Sequence, residues 1–229
     1  MIIEKTVAQI RCVVTTALCA ALALLLLYTP SAALAQAGPA KGPLKLLALG
    51  DSLTFGLGLA RDQAYPTLLQ KKFDQAGLPV KVINAGVSGD TVADGLARLD
   101  WALAENPRVA LVALGANDAL RGMSPQRAKQ GLAVILKKLR DKGVLVMLAG
   151  MYAPPNLGAE YSEAFNRIYP ELAKEFGVDF YPFILEGVGD RPELNQPDGL
   201  HPNPRGAAEM AKRLYPALEP LVKKALAGR

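Results

Sequence analysis

The segment LKLLALGDSLTFGLG, residues 44–58, gives the clearest indication of how this chain of 229 residues folds. Its apolar half, Leu44–Leu49, is typical of a buried strand, and Gly50 ends the run and presents Asp51 and Ser52 in a tight turn. Open α/β sheets bind their ligands at the carboxyl ends of the strands. The Ser52 hydroxyl is therefore a candidate functional group, and a helix after it would direct backbone N–H groups toward developing negative charge.

Segments typical of strands and of helices alternate along the rest of the chain. After the first strand, the segments that predict strands are Val80–Ile83, Val109–Leu114, Val144–Ala149 and Val178–Phe183. Those that predict helices are Ala64–Ala76, Thr91–Leu103, Pro125–Asp141 with Ser124 as its N-cap, Ala159–Phe176 and Pro204–Ala225. Apolar strands that alternate with helices predict an α/β fold with a parallel sheet covered on both faces. A flavodoxin-like strand order, 2-1-3-4-5, would bring the ends of strands one, two and three side by side.

The charge distribution argues against a nucleic-acid partner. The formal net charge is only +5, and the basic residues are dispersed apart from three lysine pairs on predicted helices. These pairs are Lys71–Lys72, Lys137–Lys138 and Lys223–Lys224. No aromatic residues are interleaved with them, so they are typical of solvated helix faces.

The N-terminal 35 residues have the order of a secretory signal peptide. Lys5 and Arg11 precede the apolar stretch Cys12–Tyr28, and the small-residue motif Ala-Leu-Ala at 33–35 follows it. We expect cleavage after Ala35 and export to the periplasm, with no stable membrane insertion of the mature protein. The apolar stretch is long for a signal peptide, so an uncleaved anchor is the alternative.

The residues after the expected cleavage site predict a short linker and one domain. Residues 36–43 (QAGPAKGP) contain nothing to bury. Residues 44–229 are enough for one core and too few for two domains of ordinary size. Both cysteines, Cys12 and Cys19, lie in the predicted signal peptide, so the mature chain has none for a disulfide although its compartment would permit one.

A catalytic role for Ser52 requires a general base, because a serine hydroxyl is a weak nucleophile at neutral pH. His201 is the only histidine in the chain. Taken alone, a single histidine is more often structural than catalytic, but Asp198 lies three residues before it, close enough in a turn to accept the ring Nδ1–H. That bond would leave Nε2 free to accept the Ser52 proton.

Gly86 and Asn117 fit the need for hydrogen-bond donors to an oxyanion. A glycine N–H can approach a substrate oxygen without a Cβ in the way, and an asparagine side chain supplies N–H groups without charge. The alternatives are a turn glycine and a loop-capping asparagine. We expect Asp51 and Asp118 to hold their loops by accepting backbone N–H bonds, and Trp101 to serve in packing.

The residue inventory argues against several other chemistries. One histidine and no cysteine in the mature chain make a zinc site a poor hypothesis. The phosphate-binding pattern GxxxxGK[ST], the dinucleotide pattern GxGxxG after a strand and the hydrolase elbow GxSxG are all missing. We therefore expect the activity to need neither a metal nor a cofactor.

Four turns together resemble the four sequence blocks of the SGNH (GDSL) hydrolase superfamily. They are GDSLTFG at 50–56, NAGVSGDT at 84–91, GANDALRG at 115–122 and DGLHPN at 198–203, in the order and spacing of the family. The chain is most similar to the branch of bacterial periplasmic arylesterases, acyl-CoA thioesterases and lysophospholipases. The resemblance implies a three-layer α/β/α sandwich with a five-stranded parallel sheet.

The resemblance also implies roles for individual residues. Ser52 would be the nucleophile, and Asp198 and His201 would form the base pair. The oxyanion would be bound by the N–H groups of Ser52 and Gly86 and by the side chain of Asn117. The expected activity is hydrolysis of small-molecule carboxylic esters and thioesters through an acyl-Ser52 intermediate, with aryl esters, acyl thioesters and lysophospholipids as candidate substrates.

Apolar residues on the loops after strands three and four predict a groove for the acyl chain. They are Leu120, Met123 and Leu157. The pair Thr54–Phe55, where relatives often carry smaller residues, is expected to narrow its mouth. Two other interpretations stay open: a carbohydrate O-deacetylase or acyltransferase that uses the same residues, and a non-catalytic flavodoxin-like binding module. The oligomeric state is left open.

Overall fold

A computed structural model describes residues 42–228, and within them five parallel strands form one sheet in the order β2-β1-β3-β4-β5. The strands are β1 (Leu44–Gly50), β2 (Val80–Gly86), β3 (Val109–Ala113), β4 (Leu145–Ala149) and β5 (Asp179–Tyr181). The predicted order 2-1-3-4-5 is confirmed. Central β1 pairs with β2 on one side and β3 on the other.

Helices connect the strands and cover the sheet. They are α1 (Ser52–Phe55), α2 (Tyr65–Gln75), α3 (Val92–Ala97), α4 (Leu99–Leu103), α5 (Ala116–Leu120), α6 (Pro125–Asp141), α7 (Ala159–Asn166), α8 (Ile168–Phe176) and α9 (Pro204–Ala227). Two single 3₁₀ turns lie at Pro155–Leu157 and Pro192–Leu194. Helix α2 packs on α9, and α6 packs on α3 and α8, so the predicted three-layer α/β/α architecture is confirmed.

The core lies between the sheet and these helices. Every residue of β3 is buried, as are all but one in β1, because both faces of a parallel sheet are covered. Helix α3 lies close to the sheet through Gly95, where a Cβ would fall 2.4 Å from a methyl carbon of Leu114. This close approach places α3 beside the turn that follows β3.

Two segments predicted as single helices are each broken in two. Thr91–Leu103 divides at Arg98, where the backbone leaves helical geometry with φ of −100° and ψ of 3°. Ala159–Phe176 divides at Arg167. The second break has a signal in the sequence: Pro170 lacks an N–H, and the first turn of a new helix needs none at that position. The prediction that Trp101 serves in packing is wrong, because 75% of its surface is exposed.

The predicted signal peptide, residues 1–35, lies outside the described residues, as does the linker 36–43 except for its last two residues. The domain boundaries at 44 and 229 stay a prediction. Within residues 42–228, no helix is both long enough and apolar enough to span a membrane.

Candidate active site

The carboxyl ends of β1, β2 and β3 meet at one edge of the sheet. In the strand register Gly50 lies opposite both Gly86 and Ala113, so the turn after β1 occupies the middle of this edge. Ser52 begins α1 directly after that turn. The sequence blocks that follow the three strands are thereby brought together, as the strand order predicts.

Asp51 fixes the conformation of the turn. Its Oδ1 accepts a hydrogen bond from the backbone N–H of Leu53 at 3.0 Å, and the whole residue is buried. The second carboxyl oxygen, Oδ2, has no hydrogen-bond partner among the described residues. Burial raises the pKa of the Asp51 carboxyl to about 6, because the charged form loses its hydration. The predicted loop-holding role is confirmed by this bond.

Ser52, His201 and Asp198 form a continuous chain of hydrogen bonds. Ser52 Oγ lies 2.8 Å from His201 Nε2, and His201 Nδ1 lies 2.7 Å from Asp198 Oδ2. When Nδ1 donates its hydrogen to the carboxylate, Nε2 is the acceptor for the Ser52 hydroxyl. The structure therefore brings together three residues that are separated by up to 149 positions in sequence.

Asp198 is held in the ionised form. Its Oδ1 accepts the backbone N–H groups of Leu200 at 2.9 Å and His201 at 3.0 Å. These bonds, together with that from the imidazole ring, lower the pKa of the Asp198 carboxyl to about 2. The same bonds fix the tight turn that carries the histidine.

Gln196 ties the histidine turn to the nucleophile side of the site, a role that the sequence analysis missed. Its backbone N–H donates to the carbonyl of His201 at 2.7 Å. Its side-chain Nε2 donates to the carbonyls of Leu57 at 2.7 Å and Pro202 at 3.0 Å. Leu57 follows α1, so one side chain sets the spacing between the turn of Ser52 and that of His201.

Asn117 lies in the first turn of α5 and faces the same cavity as Ser52. Its Nδ2 donates one hydrogen to the carbonyl of Asp90 at 2.9 Å. An amide nitrogen carries two hydrogens, so the second is available to a ligand. The position and orientation fit the predicted role of an uncharged donor.

The structure contradicts the choice of Gly86 as the second donor. Its N–H already donates to Asn84 Oδ1 at 2.9 Å, and it lies within β2, away from the lining of the cavity. A Cβ there would fall 2.2 Å from the backbone nitrogen of Phe55, so this glycine serves close packing. Gly89 lines the cavity instead, with φ of +86° and no hydrogen-bond acceptor for its N–H among the described residues.

Asp118 joins the neighbouring loops, as predicted. The residue is buried, and its Oδ2 accepts the first N–H of α3, from Val92, at 2.9 Å. Near it, the hydroxyl group of Tyr161 donates to the carbonyl of Met123 at 2.7 Å. These bonds fix the segment between α5 and α6 at the side of the site.

A cavity of about 530 Å³ opens from Ser52 and His201 along the loops after β4 and β5. Of the residues predicted to bind the acyl chain, Leu120 lines it, whereas Met123 and Leu157 do not. The apolar residues that the sequence analysis missed are Leu53, Leu57, Ala116, Met151, Tyr152, Pro154, Pro155, Phe183, Leu185 and Leu200. Tyr152 stacks on Phe183 with ring centres 4.5 Å apart and forms one wall.

Thr54 and Phe55 do not narrow the mouth of the cavity, contrary to expectation. Thr54 is buried, and its hydroxyl group lies 2.8 Å from that of Tyr65 in the core. Phe55 is exposed to solvent and does not line the cavity. Successive residues of a short helix point in different directions, and these two point away from the ligand space.

In this site a serine hydroxyl contacts a histidine that an aspartate orients. Uncharged N–H donors and an apolar cavity lie beside them, and this combination is that of a serine hydrolase. Comparison with known proteins identifies the family. The sequence model of the GDSL-like lipase/acylhydrolase family matches residues 48–209. The chain belongs to this family and is an ester hydrolase.

Individual relatives support the same assignment. Esterase TesA of Pseudomonas aeruginosa is 43% identical over 178 residues, which are 77% of this chain and 89% of that protein. Thioesterase 1/protease 1/lysophospholipase L1 of Escherichia coli is 43% identical over 178 residues, 77% of this chain and 84% of that protein. A crystal structure of TesA superposes with a TM-score of 0.74 at 43% identity and covers 77% of this chain and 99% of that one.

Proposed function

We propose that the protein is an exported hydrolase of apolar-acyl carboxylic esters and thioesters, with Ser52 as its nucleophile. The observation that carries this proposal is the hydrogen-bonded chain from Ser52 through His201 to Asp198, which opens on an apolar cavity. A non-catalytic binding module has no use for such a chain, and family membership favours the enzyme.

The first half of the reaction forms an acyl-enzyme. Ser52 Oγ attacks the acyl carbonyl carbon as its proton passes to His201 Nε2, and the carbonyl oxygen becomes an oxyanion. The backbone N–H groups of Ser52 and Gly89 and the free amide hydrogen of Asn117 stabilise this oxyanion. His201 then protonates the leaving alcohol, phenol or thiol, and the acyl group stays on Ser52 as an ester.

The second half repeats the chemistry with water as the nucleophile. His201 takes a proton from the water as its oxygen attacks the acyl-Ser52 carbonyl, and the same donors bind the second oxyanion. Collapse releases the carboxylic acid and returns the proton to Ser52. Asp198 stays ionised throughout, because its pKa is held at about 2, and it stabilises the imidazolium ring at each step.

The lining of the cavity indicates that the enzyme recognises its substrates by an apolar acyl group. Its walls are aliphatic, aromatic or proline side chains over most of their length. Each buried methylene contributes up to about 0.8 kcal/mol, so binding rewards a chain of several carbons. The names of the relatives extend the candidate leaving groups to the thiol of an acyl thioester and the alcohol of a lysophospholipid.

Export is proposed from the N-terminal sequence alone. Lys5, Arg11, the apolar stretch Cys12–Tyr28 and the small-residue site at 33–35 support cleavage after Ala35. Protein recovered from an exporting host should begin at Gln36 or within a residue or two of it. An intact mass that still includes the first 35 residues would show an anchored protein instead.

The enzymatic proposal is tested with Ser52→Ala on p-nitrophenyl esters from acetyl to octanoyl, set beside an acyl-CoA and a lysophospholipid. We expect loss of turnover by about 10³- to 10⁶-fold with the fold retained. Ser124→Ala is the matched control, because the Ser124 side chain makes no capping hydrogen bond although it stands at the N-cap of α6. More than a few per cent of wild-type turnover in Ser52→Ala would remove this serine from the mechanism.

A further inference from the structure

Arg98 is the residue at which the predicted helix Thr91–Leu103 is broken, and its side chain is largely buried. Only 19% of the Arg98 side chain is exposed, and only 10% of the side chain of Asp90, its ion-pair partner, is exposed. An arginine is always charged and is rarely buried without a partner. The contacts of the Arg98 side chain therefore indicate why the helix is broken at this residue.

The guanidinium group joins two segments of the site directly. Nε donates to Asp90 Oδ2 at 2.5 Å, and Nη2 donates to the carbonyl of Gly50 at 2.9 Å. Gly50 ends β1 and lies two residues before Ser52. Asp90 directly follows Gly89, the glycine that lines the cavity.

The same guanidinium reaches the third segment through one more bond. The backbone carbonyl of Asp90, whose carboxylate Arg98 binds, accepts the Asn117 amide at 2.9 Å. That bond uses one amide hydrogen and orients the other toward the cavity. The three candidate oxyanion donors thus lie on three chain segments. Arg98 binds the segments of Ser52 and Gly89 directly, through Gly50 and Asp90. It also fixes Asp90, whose carbonyl orients the Asn117 amide.

We propose that Arg98 is a positioning residue for the reaction: it fixes the relative placement of the Ser52 N–H, the Gly89 N–H and the Asn117 amide. It touches no substrate and acts through Gly50 and Asp90. The proposal rests on the proposed function, since it assigns a role to groups placed there. Preorganised donors stabilise the transition state only when they already stand where the charge develops.

The placement predicts a loss in the chemical step rather than in substrate binding. A displacement of about 1 Å in a reacting geometry lowers the rate by about 100-fold. Arg98→Met should lower kcat on p-nitrophenyl butyrate by about 10- to 100-fold and change KM by less than about threefold. A matched control is Arg213→Met. The Arg213 Nε also donates to a carboxylate, Glu209, at 2.7 Å, and Nη1 lies 3.8 Å from Glu186, but neither contact involves the three segments that carry the oxyanion donors.

Two further measurements separate positioning from a general loss of structure. In an Asn117→Ala background, Arg98→Met should reduce kcat much less than in the wild type, because groups that act through one another are not additive. In Arg98→Ala, added guanidinium ion should restore part of kcat. All rates are divided by the concentration of sites that an aryl phosphonate titrates, so unfolded protein does not count.

Arg98→Lys decides the case if the methionine variant does not fold. A lysine keeps a positive charge for Asp90 but has no planar fork for two acceptors at once, so we still expect kcat to fall at least about fivefold. Folded Arg98 variants with kcat per titrated site within twofold of wild type, or full additivity with Asn117→Ala, would overturn the inference. If such a result came with an active Ser52→Ala variant, the proposed function itself would be refuted. If Ser52→Ala is inactive, only the positioning role of Arg98 is refuted.

Discussion

Asp51 stands beside the proposed nucleophile, has no exposed surface, and leaves Oδ2 without a partner among the described residues. Its pKa is raised from 3.8 to about 6, mainly by burial. Between these two pH values the folded protein binds a proton that the unfolded chain has released. The free energy of unfolding that this carboxyl contributes is thus fully present below pH 3.8 and is lost as the pH rises through 6.

The size of the effect follows from the shift. At about 1.4 kcal/mol per pKa unit, the shift of Asp51 corresponds to about 3 kcal/mol. Asp51→Asn keeps an oxygen for the N–H of Leu53 but cannot ionise. Its free energy of unfolding should therefore rise by about 3 kcal/mol relative to the wild type between pH 4 and pH 8.

Urea unfolding of the wild type and of Asp51→Asn, measured at intervals from pH 4 to pH 8, gives the difference directly. Titrations of groups that do not interact with Asp51 are common to both proteins and cancel in the difference. A constant offset is expected from the buried amide nitrogen, so only the change with pH tests the argument. Two curves that stay parallel within about 0.5 kcal/mol would show that the pKa of Asp51 is the same in the folded and unfolded protein, so that burial does not raise it.

Three further predictions concern catalysis. Asn117→Ala should lower kcat by about 10²- to 10³-fold with little change in KM, and steady-state kinetics near the wild-type values would exclude it as an oxyanion donor. Leu120→Ala should reduce the preference for octanoyl over acetyl esters by about three- to tenfold, whereas Leu157→Ala, outside the cavity, should leave this preference unchanged. The reverse result would show that the acyl chain binds beside Leu157 and not beside Leu120. His201→Ala should lower kcat on aryl esters by about 10³- to 10⁶-fold, because the ring accepts the Ser52 proton, and turnover near the wild-type value would exclude the ring as the base.

The sheet and the meeting of three turns followed from local patterns. The predicted strands that end at Gly50, Ile83 and Leu114 indicate a parallel sheet, and the strand order places the turns after them together. The pairing of Asp198 with His201 was also accessible, because three residues in a turn bring the carboxylate within reach of the ring. These features depend on short-range spacing, which a sequence displays.

The choice between Gly86 and Gly89 was not accessible in the same way. Both follow the second apolar run, and only the strand register shows that Gly86 is still paired with Gly50 and has its N–H occupied. The break at Arg98 is a similar case. Both halves of that segment bury apolar residues at helical spacing, so periodicity continues through a break that long-range bonds to Asp90 and Gly50 stabilise.

The walls of the cavity depend on how irregular loops lie against one another. Leu157 and Leu120 are both apolar and both follow strands, yet only Leu120 lines the cavity. The wall of Tyr152 and Phe183 joins the loops after β4 and β5 through one aromatic stack. No periodicity governs such loops, so their contacts become visible only in the structure.

Covalent labelling shows whether Ser52 is the nucleophile. The protein is incubated with a p-nitrophenyl alkylphosphonate, and its intact mass and a peptide map are recorded by mass spectrometry. We expect one phosphonyl group per chain, located on Ser52, with no label in Ser52→Ala and much slower labelling in His201→Ala, because the ring must accept the serine proton. Label on another residue, or an unlabelled wild type that still hydrolyses esters, would contradict the account.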